Sequence, residues 1–598
     1  MSEYVPAENR TARYLAFRTG WKGTLVDLVI LALSGCYFTL SFPGIDAVLP
    51  AWSALIPLLA LCIGRSPLRA FFYGLTFSYF WNLTGCFFLR EIMIFIPFIF
   101  GIVLGVFTGF FAAGVPFICR NILYPVKVQM AGCRGMAKYC FFPFWRELLC
   151  VVALSAWWVV IEWIRSWIFT GFPWNLVSTT QWDNAPFIQI CEYTGIYGVS
   201  FLVVLFNFAA YFGIRKVFYA IREKKLQIPW VFCCACLLCL LNYIGGSMWM
   251  PHRERQLAQE DIRLSAIGVV QPHLSQRRAG TNVMTLEALE QCAALTTQLH
   301  QREKAGKQDV PLEVIAWPES AVPHPYYAMT ELGNAYRQRV RGLLSESNVP
   351  IILGTITAGD FVPPSQYNLY NSALMLKHGY PVNLRDMQYD AAGCYNKVHL
   401  VPYGEFIPLN DQFPVLGRIV GMGRNLTPGK GFYPLDVGKM RIGVLICYED
   451  VFPYTARKQA LSGSNVLLVI TNDAWYPTSF EPVQHYANSV FRTVETRLPM
   501  VRCGNSDYSV LIDALGRTVD SVHRKGSSEP DPGLKKAGST KFTVPVPLNH
   551  KMTFYTRYGN VFVFFCIILT IAGFGFALYQ KYQFRKAFAQ TLVNPPLE

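Results

Sequence analysis

Three residues whose side chains can supply a nucleophile, a base and a cation stand at the edges of apolar or turn segments: Cys447, Glu319 and Lys397. Cys447 directly follows Gly443–Ile446, an apolar run with the length and branching of a buried strand. A thiol at the end of such a strand is held in place and can still face a cavity. A lone cysteine is more often a small core residue, so the other two residues decide the interpretation.

Each of the three residues has a defined part in cysteine chemistry. The thiolate is the nucleophile, and the carboxylate of Glu319 can accept the proton of the thiol. The ammonium group of Lys397 would favour the thiolate and stabilise the oxyanion of a tetrahedral intermediate, with the backbone N–H of Tyr448 as a second donor. Taken singly, Glu319 is equally well a strand-end surface carboxylate and Lys397 a solvated loop lysine. Together they predict a cysteine-dependent acyl-transfer or hydrolysis site.

Composition places this site in a membrane protein that has a soluble part. The 598 residues are 52% apolar and only 15% charged. Lys and Arg number 53 against 38 Asp and Glu, and such a basic excess fits nucleic acid or an anionic membrane surface. The basic residues of the apolar half lie in particular loops, which favours the bilayer as partner and predicts no nucleic-acid binding.

Eight apolar runs predict membrane-spanning helices, because most approach the roughly 20 residues that cross a bilayer. They lie near 24–41, 48–63, 70–89, 92–119, 148–169, 196–214, 229–250 and 560–580. The first follows the basic segment 1–23 and lacks a convincing cleavage site, so we expect it to be retained as a span.

Basic residues in alternate loops predict the orientation of these spans. They are Arg10, Arg13, Arg18 and Lys22; Arg65 and Arg69; Arg120, Lys127, Arg134, Lys138 and Arg146; Arg215, Lys216, Arg222, Lys224 and Lys225; and Lys581, Arg585 and Lys586. The intervening loops carry almost none. Both termini are therefore expected in the cytoplasm, and the segment 251–558 on the outer side of the membrane.

The outer segment alternates strand-like and helical patterns, which predicts a layered α/β domain. The predicted strands are Leu264–Val270, Val314–Trp317, Ile351–Thr355, Ser372–Leu376, Ile442–Cys447, Val466–Thr471 and Tyr508–Ile512, and the predicted helices are Thr281–Arg302, Leu332–Ser345 and Val483–Arg497. The predicted domains are thus a bundle of seven spans over 1–250, a catalytic domain over 251–558, and an eighth span with its tail over 559–598.

Three stretches in this order resemble the carbon–nitrogen hydrolase (nitrilase) superfamily: Ile315–Ser320, Tyr395–Glu405 and Gly443–Pro453. The resemblance implies a Glu-Lys-Cys triad of Glu319, Lys397 and Cys447. It also implies the four-layer α-β-β-α sandwich of nitrilases, which spacing alone would not give.

Further stretches resemble one membrane branch of that superfamily, the bacterial apolipoprotein N-acyltransferases. They are Lys397–Glu405 (KVHLVPYGE), Asn472–Tyr476, Trp158–Arg165 and Thr170–Asn175. The resemblance implies transfer of an acyl chain from a phospholipid to the amine of an S-diacylglyceryl-cysteine apolipoprotein, by a ping-pong mechanism through a Cys447 thioester. It implies a monomer in the bacterial inner membrane, with no metal and no other cofactor.

Four supporting residues are implied with less specific roles. Glu405 and Glu449 would orient Lys397 and the turn at Cys447, or else only form their own loops. Tyr448 and Trp475 would wall the lipid pocket, or else be ordinary core aromatics. Apolar side chains that would dip into the headgroup region are Phe406, Ile407, Phe413, Val415 and Leu416.

Two other functions remain compatible with the sequence. A membrane-tethered amidase would use the same triad, with water instead of an amine resolving the thioester. A non-catalytic membrane scaffold would carry a decayed enzyme domain, although the intact triad argues against decay.

Overall fold

The computed structural model describes residues 20–593 apart from several gaps. These gaps are 131–141, 225–226, 260, 276–281, 307–308, 323, 327, 329, 363–365, 380–392, 409–411, 413–424 and 526–528. The basic residues Arg10, Arg13, Arg18, Arg134, Lys138 and Lys225 and the apolar residues Phe413, Val415 and Leu416 therefore lie outside the described residues. The chain forms two compact units, one within 1–180, 197–243 and 561–598 and the other within 181–196 and 244–560.

Helices occur in both units. In chain order they are α1 (Trp21–Thr39), α2 (Val48–Ala51), α3 (Leu55–Cys62), α4 (Pro67–Gly85), α5 (Ile96–Leu123), α6 (Val126–Met130), α7 (Phe144–Arg165), α8 (Ala185–Ile188), α9 (Cys191–Thr194), α10 (Ile196–Glu223), α11 (Trp230–Gln259), α12 (Asn282–Ala305), α13 (Glu331–Ser347), α14 (Pro453–Leu461), α15 (Glu481–Thr496), α16 (Phe554–Tyr558) and α17 (Val561–Val593).

Six of the described helices are long and apolar enough to cross a membrane: α1, α5, α7, α10, α11 and α17. In α11 only 17% of the most apolar stretch is buried, whereas a helix of a water-soluble protein buries most of its apolar residues. The chain is thus a multi-pass membrane protein. The predicted spans near 48–63 and 70–89 form the short helices α2 and α3 and the 19-residue α4, which are not among the six, so eight spans remain a prediction.

Two buried ion pairs lie in the first unit. The guanidinium of Arg65 lies 2.8 Å from the Asp27 carboxylate, and the ammonium of Lys216 lies 2.7 Å from the Glu147 carboxylate. An unpaired charge inside an apolar bundle would be costly, and intramembrane ionisable groups are usually paired. The helices α4 and α5 also approach closely, since a Cβ added at Gly74 would lie 2.4 Å from the backbone oxygen of Thr108 on α5.

The second unit contains two six-stranded sheets. Their strands are β1 (Ile262–Gln271), β2 (Leu312–Ala316), β3 (Ile351–Val362), β4 (Gln366–Leu376), β5 (Cys394–Asn396), β6 (Leu435–Val437), β7 (Met440–Ile446), β8 (Val466–Thr471), β9 (Met500–Gly504), β10 (Val510–Ile512), β11 (Thr518–Ser521) and β14 (Gly538–Pro547). The order is β14-β1-β2-β3-β4-β5 in one sheet and β11-β10-β9-β8-β7-β6 in the other. A small hairpin pairs β12 (Arg524–Lys525) with β13 (Glu529–Pro530).

Each sheet has a parallel centre, formed by β1, β2 and β3 in one and by β7, β8 and β9 in the other. In the second sheet Val444 pairs with Leu468, and Leu468 pairs with Val501. Parallel strands end at the same edge of a sheet, where ligand sites commonly lie. Residues that follow β2, β7 and β8 are therefore brought to two neighbouring edges.

Helices cover the outer faces of the two sheets. Apolar side chains between the sheets come from both of them: Ile267, Val269, Val314 and Ile352 from the first, and Val444, Ile446, Leu468 and Val501 from the second. On the outer face of the first sheet, α12 and α13 pack through Leu289, Leu299, Tyr336 and Val340. On the second, α14 contacts β7, and α15 packs against α14 and the turn after β7. This is the α-β-β-α order that the resemblance implied.

All seven predicted strands and all three predicted helices of this domain are present, with ends shifted by a few residues at most positions. Seven strands were not predicted: β5, β6, β9, β11, β14 and the hairpin strands β12 and β13. β14 lies at the edge of its sheet and carries Pro545 and Pro547, which are tolerated there because an edge strand needs fewer backbone donors.

Candidate active site

Cys447 begins a 3₁₀ turn directly after β7. Its backbone has a φ of 51°, in the left-handed region that non-glycine residues rarely adopt. Strain of this kind persists only where the surrounding structure enforces it, and it is concentrated at functional sites. The described cysteines between residues 251 and 558 are Cys292, Cys394, Cys447 and Cys503, and all four are free thiols.

Lys397 and two carboxylates form a buried charged cluster. The Nζ of Lys397 lies 3.0 Å from Oε1 of Glu405 and 3.6 Å from Oε1 of Glu319. The lysine side chain is 1% exposed and those of Glu319 and Glu405 are 9% and 12% exposed. The second oxygen of Glu405 accepts the backbone N–H of Val401 at 2.8 Å, which fixes that carboxylate. Two acids thus share one ammonium group in a largely dry site.

Asn371 completes this cluster, and no sequence pattern singled it out. Its Nδ2 donates to Oε1 of Glu319 at 2.7 Å and to Oε1 of Glu405 at 2.6 Å. Asn371 is buried in the middle of β4, paired with Ile356 of β3. A polar residue in the middle of a strand is the only signal the sequence carries, and it does not distinguish a site residue from a buried structural amide.

A glycine of the neighbouring strand determines where Glu319 lies. Glu319 follows β2, and a Cβ added at Gly354 would lie 2.5 Å from its Cα and 2.7 Å from the carbonyl oxygen of Pro318. Such distances are not tolerated without backbone movement. Gly354 therefore allows β3 to pass close beneath the residue that carries the proposed base.

The charges of Glu319 and Lys397 both act on the Cys447 thiol. Burial raises the pKa of Cys447, Glu319 raises it further, and Lys397 lowers it. For Lys397, burial lowers the pKa, but Glu405 and Glu319 outweigh it and the net pKa is raised. The lysine is thus a permanent cation, and the resting thiol is protonated. A thiol in this state needs a base to remove its proton when it attacks.

Glu449 holds the turn at Cys447 against the Lys397 loop. Its carboxylate accepts the backbone N–H groups of Ile446, Val398 and His399 at 2.8, 2.7 and 3.0 Å. It is fully buried, and burial raises its pKa to about 7. These contacts join the residue before Cys447 to the residues after Lys397, which is what an orienting role requires; that role remains a proposal.

The two predicted aromatic residues differ in exposure. Tyr448 is 9% exposed, and its ring packs edge-on against Phe452 with centroids 4.9 Å apart. Trp475 is 57% exposed, on the 3₁₀ turn Asp473–Trp475 after β8. A core role thus describes Tyr448 well and does not describe Trp475.

One cluster of described residues combines side chains that commonly bind metals. Asp473, Glu481 and His485 are buried, with potential ligand atoms within 4.8 Å of one another. However, Nδ1 of His485 lies 2.9 Å from Asp473 Oδ1, and Nε2 lies 2.6 Å from Asp450 Oδ1. Each nitrogen faces a carboxylate oxygen, so each carries a proton and neither has a lone pair for a cation. The cluster is a hydrogen-bonded network.

Two family profiles match this chain, one in its N-terminal part and one in its C-terminal part. The profile of the apolipoprotein N-acyltransferase N-terminal domain matches residues 34–209, and that of the carbon–nitrogen hydrolases matches residues 267–527. The apolipoprotein N-acyltransferase of Geobacter metallireducens is 30% identical over 545 residues, covering 90% of this chain and 93% of that protein.

Two further matches are more partial. The apolipoprotein N-acyltransferase of Allorhizobium ampelinum is 30% identical over 65% of this chain and 68% of its own. A solved carbon–nitrogen hydrolase from Helicobacter pylori is 16% identical, covers 48% of this chain and 89% of that chain, and has a TM-score of 0.31. Because the Geobacter relative matches over nearly its whole length, this chain belongs to the apolipoprotein N-acyltransferase family.

Proposed function

We propose that this protein transfers an acyl chain from a membrane phospholipid to the N-terminal amine of S-diacylglyceryl-cysteine apolipoproteins, with Glu319, Lys397 and Cys447 as its catalytic triad. The observation that carries the proposal is the buried cluster of Lys397 between two carboxylates, beside a thiol held on a strained turn. The proposed substrates are inferred from family membership, and the proposed chemistry from the charged cluster.

The first half-reaction acylates the enzyme. The carboxylate of Glu319 takes the thiol proton as Cys447 Sγ attacks the ester carbonyl of the donor, which forms a C–S bond and an oxyanion. Lys397 and the backbone N–H of Tyr448 stabilise that oxyanion, and one such donor is commonly worth about 2.7–4 kcal/mol. The ester C–O bond then breaks, and Glu319 returns the proton to the alkoxide of the departing lysophospholipid.

The second half-reaction returns the enzyme to its starting state. The acceptor amine attacks the thioester carbonyl and forms a C–N bond, and Glu319 takes the proton of the amine. Collapse of the intermediate breaks the C–S bond, and the thiolate regains a proton from Glu319. No redox step occurs, and the protons balance over the cycle.

Exposed aromatic side chains near the site support a lipid substrate over a small amide. Tyr403, Trp475 and Phe480 are 52%, 57% and 52% exposed. Tyr403 lies in the loop between Lys397 and Glu405, and the other two lie in the loop that leads from β8 to α15. Large exposed apolar side chains beside a site indicate an apolar ligand or a membrane surface.

The location of the enzyme is part of the proposal. The pattern of basic loops supports a protein of the bacterial inner membrane with both termini in the cytoplasm and the catalytic domain on the periplasmic side. The donor would then be drawn from the outer leaflet, and the enzyme would act as a monomer without a metal or other cofactor.

A two-step acylation assay tests the proposed function. Purified enzyme is mixed with a phospholipid alone, and then with a diacylglyceryl-cysteine peptide. We expect lysophospholipid release limited to one equivalent in the first step and N-acylated peptide in the second. Continuous fatty-acid release into water, or brisk hydrolysis of small amides, would indicate the amidase; no reaction from folded enzyme would indicate the scaffold.

A further inference from the structure

The peptide unit between Cys447 and Tyr448 joins the proposed nucleophile to the backbone N–H that would stabilise the oxyanion. Because a peptide unit is planar and trans, the carbonyl of Cys447 and the N–H of Tyr448 point in opposite directions. Whatever holds the carbonyl therefore also aims the N–H that would donate to the oxyanion. At Cys447 this matters, since the left-handed backbone is not the conformation the residue adopts unaided.

His485 is the side chain that contacts this carbonyl. Its Nε2 lies 3.2 Å from the backbone oxygen of Cys447 and 2.6 Å from Oδ1 of Asp450. Its Nδ1 lies 2.9 Å from Oδ1 of Asp473. The imidazole is 1% exposed and lies in α15, the helix packed against the turn after β7.

Acidic groups surround His485 on two sides and keep it protonated. Asp450 and Asp473 accept its two N–H groups, Glu481 lies 3.9 Å from Nδ1 one turn earlier in α15, and Arg502 is the cation nearby. Although burial lowers the pKa of His485, the two aspartates raise it well above its usual value. A doubly protonated ring is the only form that can donate to both carboxylates and to the carbonyl.

The aspartates are themselves fixed. The Asp450 carboxylate accepts hydrogen bonds from the side chains of Arg502 and Ser489. The Asp473 carboxylate accepts one from the hydroxyl of Thr471 at 2.7 Å. The imidazolium thus has little freedom to turn away from the carbonyl.

We propose that His485 is a positioning residue for acyl transfer, and that its Nε2–H holds the Cys447 carbonyl so that the Tyr448 N–H faces the oxyanion. This inference rests on the proposed function, because it assigns a part in the thioester chemistry at Cys447. His485 itself touches neither the substrate nor the thiol in this arrangement.

Two substitutions at this position separate the two nitrogens. The side-chain amide of His485→Gln places a donor near the Nε2 position and keeps the bond to the Cys447 carbonyl. That of His485→Asn places a donor near Nδ1 and loses this bond. Both variants remove the same charge and place an uncharged side-chain amide at the same position of α15, so they form a matched pair.

The readout is single-turnover acylation by a phospholipid, scaled to the titrated Cys447 thiol. We expect His485→Asn to acylate roughly 100-fold more slowly than wild type, within the range for loss of one oxyanion donor. We expect His485→Gln to retain most of the rate, with the same apparent donor affinity in both variants. Equal rates in the two variants, whether high or low, would overturn the inference.

The outcomes also separate this inference from the proposed function. Wild-type enzyme that forms no acyl-enzyme refutes the proposed function; wild-type acylation with equal variants refutes the role of His485 alone. If neither variant folds, solid-state NMR of wild-type enzyme labelled with ¹⁵N-histidine and with cysteine ¹³C at the carbonyl decides the question, because it measures the contact itself. A dipolar contact between a protonated histidine Nε2 and the Cys447 carbonyl carbon is expected, and its absence would overturn the inference.

Discussion

Replacing Asn371 by leucine should slow acylation without removing any group of the proposed triad. The substitution keeps the approximate volume of the side chain and deletes the two hydrogen bonds that Nδ2 donates, at 2.7 Å to Glu319 and 2.6 Å to Glu405. Both acceptors are buried carboxylates beside Lys397. Each loses a donor that the apolar substitute cannot replace.

The magnitude follows from the charge of the acceptors. A hydrogen bond to a charged group contributes about 1.5–3 kcal/mol. If the free energy of the bond to Glu319 is what holds this carboxylate in its reactive position, its loss slows acylation roughly 10- to 150-fold, at about 1.36 kcal/mol for each factor of ten. The bond to Glu405 is lost from the folded state as well, so we also expect a lower thermal midpoint.

The assay is the rate of acyl-enzyme formation in a single turnover, followed by quenched intact-protein mass spectrometry. Asn368→Leu is the matched control: it removes an amide three residues earlier on β4, whose contact is with Thr427 at 3.3 Å. We expect that control to stay within about twofold, as for substitutions away from buried features. Acylation by Asn371→Leu within twofold of wild type would refute the role given to this cluster.

Three other predictions concern the support of the site. Gly354→Ala adds a Cβ 2.5 Å from the Cα of Glu319, so the acylation rate should fall at least tenfold. The control Gly342→Ala, with no atom within 4 Å of the added Cβ, should not slow acylation. Equal rates in the two variants would contradict the placement of the base. Burial raises the pKa of Glu449 to about 7 from 4.5, so folded enzyme keeps a proton that the unfolded chain has released. The thermal midpoint of wild type relative to Glu449→Gln should therefore decline between about pH 5 and pH 8, and a difference that grows with pH would contradict this. Glu192→Gln leaves the buried Arg497, at 2.9 Å, and the partly buried Arg253, at 2.8 Å, without their counter-charge and should cost about 3–5 kcal/mol of unfolding free energy. An unchanged denaturation midpoint would show that the pairs contribute little.

Glu319 and Cys447 could be predicted because each stands at the end of an apolar strand, and Lys397 because it lies in a short motif, Tyr395–Glu405. Continuous apolar runs located β2, β7 and β8, and the resemblance supplied the order Glu319, Lys397, Cys447. Chemistry at strand ends is visible in a sequence since a polar residue interrupts an otherwise apolar pattern.

The residues that contact the proposed triad could not be predicted, because they do not stand at strand ends. Asn371 and Gly354 lie inside strands, where their effect depends on which strand is the neighbour. His485 lies on the predicted helix Val483–Arg497, whose apolar pattern does not indicate that two aspartates from other elements contact it. Such contacts are set by tertiary packing, which local patterns do not encode.

The central claim is that Cys447 carries the acyl chain. The most direct measurement is intact-protein mass spectrometry of purified enzyme after incubation with a phospholipid and no acceptor. We predict a mass increase of one acyl group that maps to Cys447, is removed by hydroxylamine, is absent from Cys447→Ala, and is cleared by a diacylglyceryl-cysteine peptide. An adduct on another residue, or N-acylated peptide formed by Cys447→Ala at the wild-type rate, would contradict the account.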